Sequence, residues 1–177
     1  PGITTQPLPV TIDTGNTAVL SVQANGTSPT FQWYEGESGI IDNPIPGATE
    51  NTFTTPVLTK ARKFWVRATN TAGSVDSDAV TVSVNTPPEI TAEPVSTAVN
   101  SGGSATLTVS ASGTSPSYQW YVGNTGDISA PIPDATFASY TTPSLMDSNS
   151  YWVRVSNTLG TDDSLAATVT VQFAPVF

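Results

Sequence analysis

Tryptophan, tyrosine and arginine gathered on one face make a surface that can stack on a sugar ring or on a partner's aromatic side chain. This chain spaces such residues in two places. Phe31 and Trp33 alternate with Gln32 and Tyr34, and Phe64, Val66 and Ala68 alternate with Trp65 and Arg67. Alternation with period two marks a half-buried strand, whose successive side chains point to opposite faces. If Trp33 and Val66 point inward, Gln32, Tyr34, Trp65 and Arg67 share the outer face. Gln119, Tyr121, Trp152 and Arg154 repeat the set further on. Two arrangements follow. Either the face is open as a ligand platform, or the long segment after the Phe31–Tyr34 run, with Pro44-Ile45-Pro46, folds over it. In the second case Trp65 is buried and Arg67 becomes a cation–π lid or the partner of an acid.

Carboxylates are the second candidate. Asp76 and Asp78 fall just beyond a turn, and Asp162 and Asp163 occupy the equivalent place later. Calcium takes about six to eight oxygen ligands, and no EF-hand pattern supplies them. Ca²⁺ is thus weighed against a solvated acidic edge that discourages strand-to-strand aggregation.

Other chemistries lack their residues. The 177 residues include no histidine and no cysteine, which removes disulfides, Cys/His zinc sites and His-based triads. Lys60 and Lys63 read as an exposed turn, Lys60-Ala61-Arg62-Lys63, and no lysine follows Lys63. A Lys–Asn isopeptide link is therefore excluded from the later half. Five basic residues face fourteen acidic ones, for a net charge of −9. A nucleic-acid partner or an anionic membrane surface needs the opposite balance. No run approaches the roughly 20 apolar residues of a membrane helix. No catalytic residue and no cofactor is expected.

The elements that must position these residues are written twice. A shift of 87 residues aligns the chain with itself without a gap, and about 40 of 84 pairs are identical. Trp33 falls on Trp120, Pro44-Ile45-Pro46 on Pro131-Ile132-Pro133, and Trp65-Val66-Arg67 on Trp152-Val153-Arg154. Two domains are expected, 1–86 and 87–177, with net charges of −3 and −6. Their junction, Asn85-Thr86-Pro87-Pro88, reads as extended and semi-rigid. The same shift lays Pro175-Val176-Phe177 on Pro88-Glu89-Ile90, so a third unit is expected to follow in a longer array.

Helical periodicity is weak. Alternating runs such as Ala18, Leu20, Val22 and Ala24 are bounded by turn signals such as Asn25-Gly26 and Pro46-Gly47. Six to eight short strands in each 87-residue copy predict an all-β, antiparallel sandwich.

The residues then become more specific. Gly15 precedes Leu20-Ser21-Val22, and Gly102 precedes Leu107-Thr108-Val109. Trp33 and Trp120 follow. Asp147, Tyr151, Val153, Asn157 and Gly160 form one spaced set; Lys60, Phe64, Val66, Asn70 and Gly73 form its counterpart. Each copy resembles an immunoglobulin-like domain, and more narrowly the tandem bacterial Ig-like repeats of secreted and surface proteins. The resemblance implies that Val22 and Val66, and Val109 and Val153, pack against the core tryptophans where the family often has a disulfide. It also implies a tyrosine corner at Tyr151 and none at Phe64.

A resemblance of this kind implies a non-catalytic spacer or stalk within a larger bacterial secreted or cell-surface protein. Its partners would be neighbouring domains of the same polypeptide. The alternative is an adhesin or carbohydrate-binding accessory that takes a glycan or protein ligand. Such a ligand would use the outer face or the loops. Asn25-Gly26-Thr27 is a formal glycosylation sequon in a turn.

Overall fold

Proline shapes the first strand of each copy. Pro7 and Pro9 offer no N–H to a ladder, so the chain cannot continue beside its first partner. It crosses to the opposite sheet. The structure is a computed structural model that describes residues 1–175; Val176 and Phe177, part of the expected third start, lie outside them. The chain divides into two units, Pro1–Thr86 and Pro87–Phe177.

Among the described residues unit 1 has nine strands: β1 Gly2–Thr5, β2 Val10–Asp13, β3 Val19–Ser21, β4 Gln23–Asn25, β5 Thr30–Glu35, β6 Thr52–Thr54, β7 Arg62–Asn70, β8 Gly73–Asp76 and β9 Val80–Asn85. One layer runs β2-β9-β7-β5, with β8 also on β7; the other holds the pairs β1-β4 and β3-β6. Six to eight strands were expected. The larger number arises because three strands are interrupted, at the prolines, at Val22 and at Ser77–Ala79. The sheet is also not wholly antiparallel. After the crossing at Pro7–Pro9, β2 pairs with β9 in parallel, from Val10↔Val82 to Asp13↔Asn85.

Unit 2 repeats the plan with β10 Glu89–Ala92, β11 Thr97–Asn100, β12 Thr106–Thr108, β13 Ser110–Ser112, β14 Ser117–Val122, β15 Ser139–Thr141, β16 Asn149–Asn157, β17 Gly160–Asp163 and β18 Ala167–Gln172. Here Pro94 alone breaks the first strand, and β11 again pairs with β18 in parallel. Among the described residues no helix is long and apolar enough to cross a membrane.

Each core is built round a tryptophan. Trp33 is fully buried with Leu20, Val22, Phe53, Phe64 and Val66. Its indole N–H donates to the Glu50 carbonyl at 2.9 Å. Trp120 is surrounded by Leu107, Val109, Tyr151 and Val153 and donates to the Phe137 carbonyl at 2.9 Å. Valine burial at these positions stabilises by roughly 25 cal/mol per Å² of apolar surface. Behind Trp120, Tyr151 and Tyr140 lie 5.6 Å apart between ring centroids. The polar neighbour of the Tyr151 hydroxyl is the Asn149 side chain. Among the described residues no upstream backbone carbonyl accepts from it, so the implied tyrosine corner is not formed.

Candidate functional site

Register brings the outer-face residues together. β5 lies antiparallel to β7 with Gln32 opposite Arg67 and Tyr34 opposite Trp65. β8 then places Asp76 opposite Arg67. All five side chains fall on one face because each is an even number of residues from the next on its strand.

Neither indole on this face is open: Trp65 and Trp152 are both 0% exposed. The rings of Tyr34 and Trp65 stack at 4.4 Å with an interplanar angle of 11°, and Tyr121 and Trp152 do so at 4.6 Å and 13°. The Arg67 and Arg154 guanidinium carbons each lie 5.5 Å from the neighbouring indole centroid. Each arginine is held by a two-pronged ion pair. Arg67 meets Asp76 at 2.6 and 2.7 Å, and Arg154 meets Asp163 at 2.7 Å on both prongs. The hydrogen bonds that each guanidinium donates to its carboxylate are the main cause that holds both arginines above their ordinary pKa. A ligand seeking the indole would first displace the stack and the cation, which together stabilise by on the order of 2 kcal/mol.

The cover does not come from Pro44-Ile45-Pro46. That segment runs beside β5 as an extra edge: Tyr34 bridges to Pro44, and the Ile45 amide donates to the Trp33 carbonyl at 2.9 Å. Gln32 fixes it there, donating through Nε2 to the carbonyls of Trp33 at 2.9 Å and Ile45 at 2.8 Å. Gln119 does the same with Trp120 and Ile132. The earlier part of the same segment, between Gly36 and Asn43, makes the crossing. Ser38 donates to the Ser77 carbonyl, on the far side of β7 from β5. Thr125 and Ser164 repeat this tie at 2.7 Å. The indole N–H groups of Trp65 and Trp152 are buried beneath without an acceptor. Burying an unpaired donor costs about 1–3 kcal/mol, which the packing around the ring must offset.

The acids are dispersed rather than gathered. Asp162 accepts from the Ile90 amide at 2.7 Å, while its neighbour Asp163 faces the other way to Arg154. Asp76 is taken by Arg67, and the Asp78 amide donates to the Gln6 side chain at 2.9 Å. Among the described residues no three carboxylates come together as a metal site. The basic stretch is also not a free turn. Arg62 and Lys63 open β7, where Arg62 pairs with Glu35 and Lys63 with Glu37 at 2.5 Å.

Two buried hydroxyls in each unit went unread in the sequence. The Val66 amide donates to Ser77 Oγ at 3.0 Å and the Ser77 amide returns to the Val66 carbonyl at 2.9 Å. Ser164 serves Val153 in the same way. Thr55 and Thr142 close the strand ends at Ala18 and Ala105 through paired bonds of 2.8–3.0 Å. Their signal is in the repeat: Thr69 becomes Ser156 and Ser83 becomes Thr170, but Thr55 and Ser77 keep their identity at Thr142 and Ser164.

Comparison with known proteins agrees with this architecture. The muscle M-line assembly protein unc-89 of Caenorhabditis elegans is 31% identical over 168 residues, which is 90% of this chain but 2% of that relative. The titin I-band fragment I67-I69 has the same fold at 18% identity and a TM-score of 0.65, over 97% of this chain and 65% of that one. The crystal structure of DIP-gamma IG1+IG2 gives 0.66 at 17% identity over 99% of both chains. Residues 1–88 and 86–175 each match the family described as Ig-like domain CHU_C associated, and the chain belongs to that family as two tandem Ig-like domains.

Proposed function

We propose that this chain is a pair of non-catalytic spacer modules, semi-rigid stalk units of a larger bacterial secreted or cell-surface protein. The observation that carries the reading is the self-satisfied outer face. In both units the residues best suited to seize a ligand are spent on one another: indole under tyrosine, guanidinium on carboxylate, glutamine on backbone. A face so paired positions strands. The two prolines at the junction limit bending, and the excess of acids keeps neighbouring arrays apart. Likeness to tandem modules of muscle proteins supports the spacer role. The extracellular, bacterial placement rests on the Ser/Thr-rich, charge-poor composition and on the resemblance to surface repeats.

Pulling the chain end to end tests the mechanical reading. Two unfolding events are expected, each releasing about 300 Å of contour, since 87 residues extend by roughly 3.3–3.6 Å apiece. Extension without discrete events overturns it. So does a specific hit for the wild-type chain on a glycan array, because a spacer has no sugar to hold.

A further inference from the structure

The turn between β4 and β5 opens with Asn25-Gly26, and its counterpart between β13 and β14 with Ser112-Gly113. Both glycines hold a positive φ, 106° and 110°. A Cβ on Gly26 would meet the Pro1 Cα at 3.0 Å and the side-chain Nδ2 of Asn70 at 3.2 Å; on Gly113 it would meet the Pro87 carbonyl oxygen at 2.6 Å. The turn therefore requires glycine in both units. Only unit 1 puts a side-chain amide before it. No other asparagine in the chain precedes a glycine, and Asn25 and Gly26 are both exposed.

An asparagine next to a glycine can cyclise, because a residue without Cβ leaves its backbone nitrogen open to approach. The Gly26 nitrogen adds to the Asn25 side-chain carbonyl carbon and gives up its proton. The new C–N bond forms, the bond to Nδ2 breaks, and ammonia leaves with that proton. Water then opens the five-membered imide at either carbonyl, giving aspartate or isoaspartate. The balance is one amide and one water to one carboxylic acid and one ammonia, with no change of oxidation state.

We propose that Asn25-Gly26 is a site of spontaneous deamidation that modifies unit 1 with time and spares unit 2. Its place gives the change a structural result. Asn25 ends β4 and pairs with Gly2 of β1, a strand held to β4 by Gly2↔Asn25, Ile3↔Ala24 and Thr5↔Gln23. Its side-chain oxygen lies against Gly2, 2.9 Å from where a Cβ would stand. Isoaspartate lengthens the backbone by one methylene at that pair, which displaces the register and loosens β1. Ser112, paired with Glu89 on β10, has no such route.

The test is to incubate the whole chain in mildly alkaline buffer, both native and urea-unfolded. Its peptides are then mapped by mass, and isoaspartate is read with an isoaspartyl methyltransferase. The native chain is expected to convert at Asn25 and at no other asparagine. Asn25→Gln is expected to abolish the signal, and Ser112→Asn to create one in unit 2. Conversion confined to the unfolded chain, or absent from both, overturns the proposal. A glycan on Asn25 of protein from its own cells also overturns it, since that nitrogen is then occupied.

Discussion

In unit 1 the rings beside the core tryptophan are Phe53 and Phe64; in unit 2 their places are taken by Tyr140 and Tyr151. The rim differs as well. Glu35 and Arg62 form an ion pair in unit 1, and the equivalent residues of unit 2 are Val122 and Asn149. On the outer face nothing changes: the same four residue types stack and pair in both units, with the arginine 5.5 Å from the indole in each. Faces that recognise ligands are free to diverge between copies, as the rims have done. A face whose parts hold one another has no such freedom, because changing one member strands the rest. The comparison thus assigns the tyrosine–tryptophan–arginine–aspartate set to architecture.

Breaking that set should have the largest effect. Trp65→Ala is expected to destabilise unit 1 by about 3–5 kcal/mol, the usual range for emptying a buried tryptophan site. Trp152→Ala should do the same to unit 2. Calorimetry reads this as a fall of more than about 10 °C in the transition of the altered unit, at roughly 4–8 °C per kcal/mol for a domain of this size. A fall of only a degree or two would return the indole to the list of ligand contacts.

The turn glycines sharpen the comparison at smaller scale. Both need a positive φ, but only Gly113 has a backbone carbonyl oxygen 2.6 Å from where a side chain would stand. The nearest atom at Gly26 is 3.0 Å away. Gly113→Ala is expected to cost about 2–3 kcal/mol and Gly26→Ala about 1–2 kcal/mol, both through backbone strain. Urea unfolding of the two variants checks the ranking. Equal losses would mean that φ alone decides and the close approach relaxes.

Much of this was legible in the sequence because alternation and the 87-residue repeat act over many residues. The sandwich and the shared face of Tyr34, Trp65 and Arg67 follow from period two, while the packing of Val22 and Val66 against Trp33 was implied by the resemblance to Ig-like domains. The identity of what covers Trp65 did not follow. Pro44-Ile45-Pro46 drew attention by composition, yet a lone hydroxyl, Ser38, carries the loop across β7. A serine that bonds to a backbone carbonyl looks no different from one that meets water. The parallel pairing of β2 and β9 was hidden for a related reason. It depends on which partner the chain finds after Pro7–Pro9, and alternation is blind to partners.

The rim pairs test the divergent side of the comparison. Lys63→Gln and Arg62→Gln should each cost about 0.2–1 kcal/mol, because partly exposed ion pairs contribute little against solvent and side-chain entropy. Added salt should shrink the difference further. Unit 2, with no ion pair at those positions, should show no matching salt dependence in the same melting experiment.

The core rings give the smallest effect at neutral pH and a growing one above it. Burial raises the pKa of Tyr140 and Tyr151 above the ordinary value of 10.0. The unfolded chain releases these protons near pH 10, while the folded unit must keep them or bring charge into its core. A raised folded pKa means that the stabilising contribution is complete below the unfolded value and is lost as pH rises through the folded one. Unit 2 should therefore lose stability progressively above about pH 10. Unit 1 has phenylalanine in both places and lacks this loss. Tyr140→Phe combined with Tyr151→Phe should leave the melting temperature of unit 2 nearly unchanged at pH 7 and flatten its alkaline limb. If the limb stays as steep, the hydroxyls reach solvent in the folded state, and the two cores differ in composition but not in their response to base.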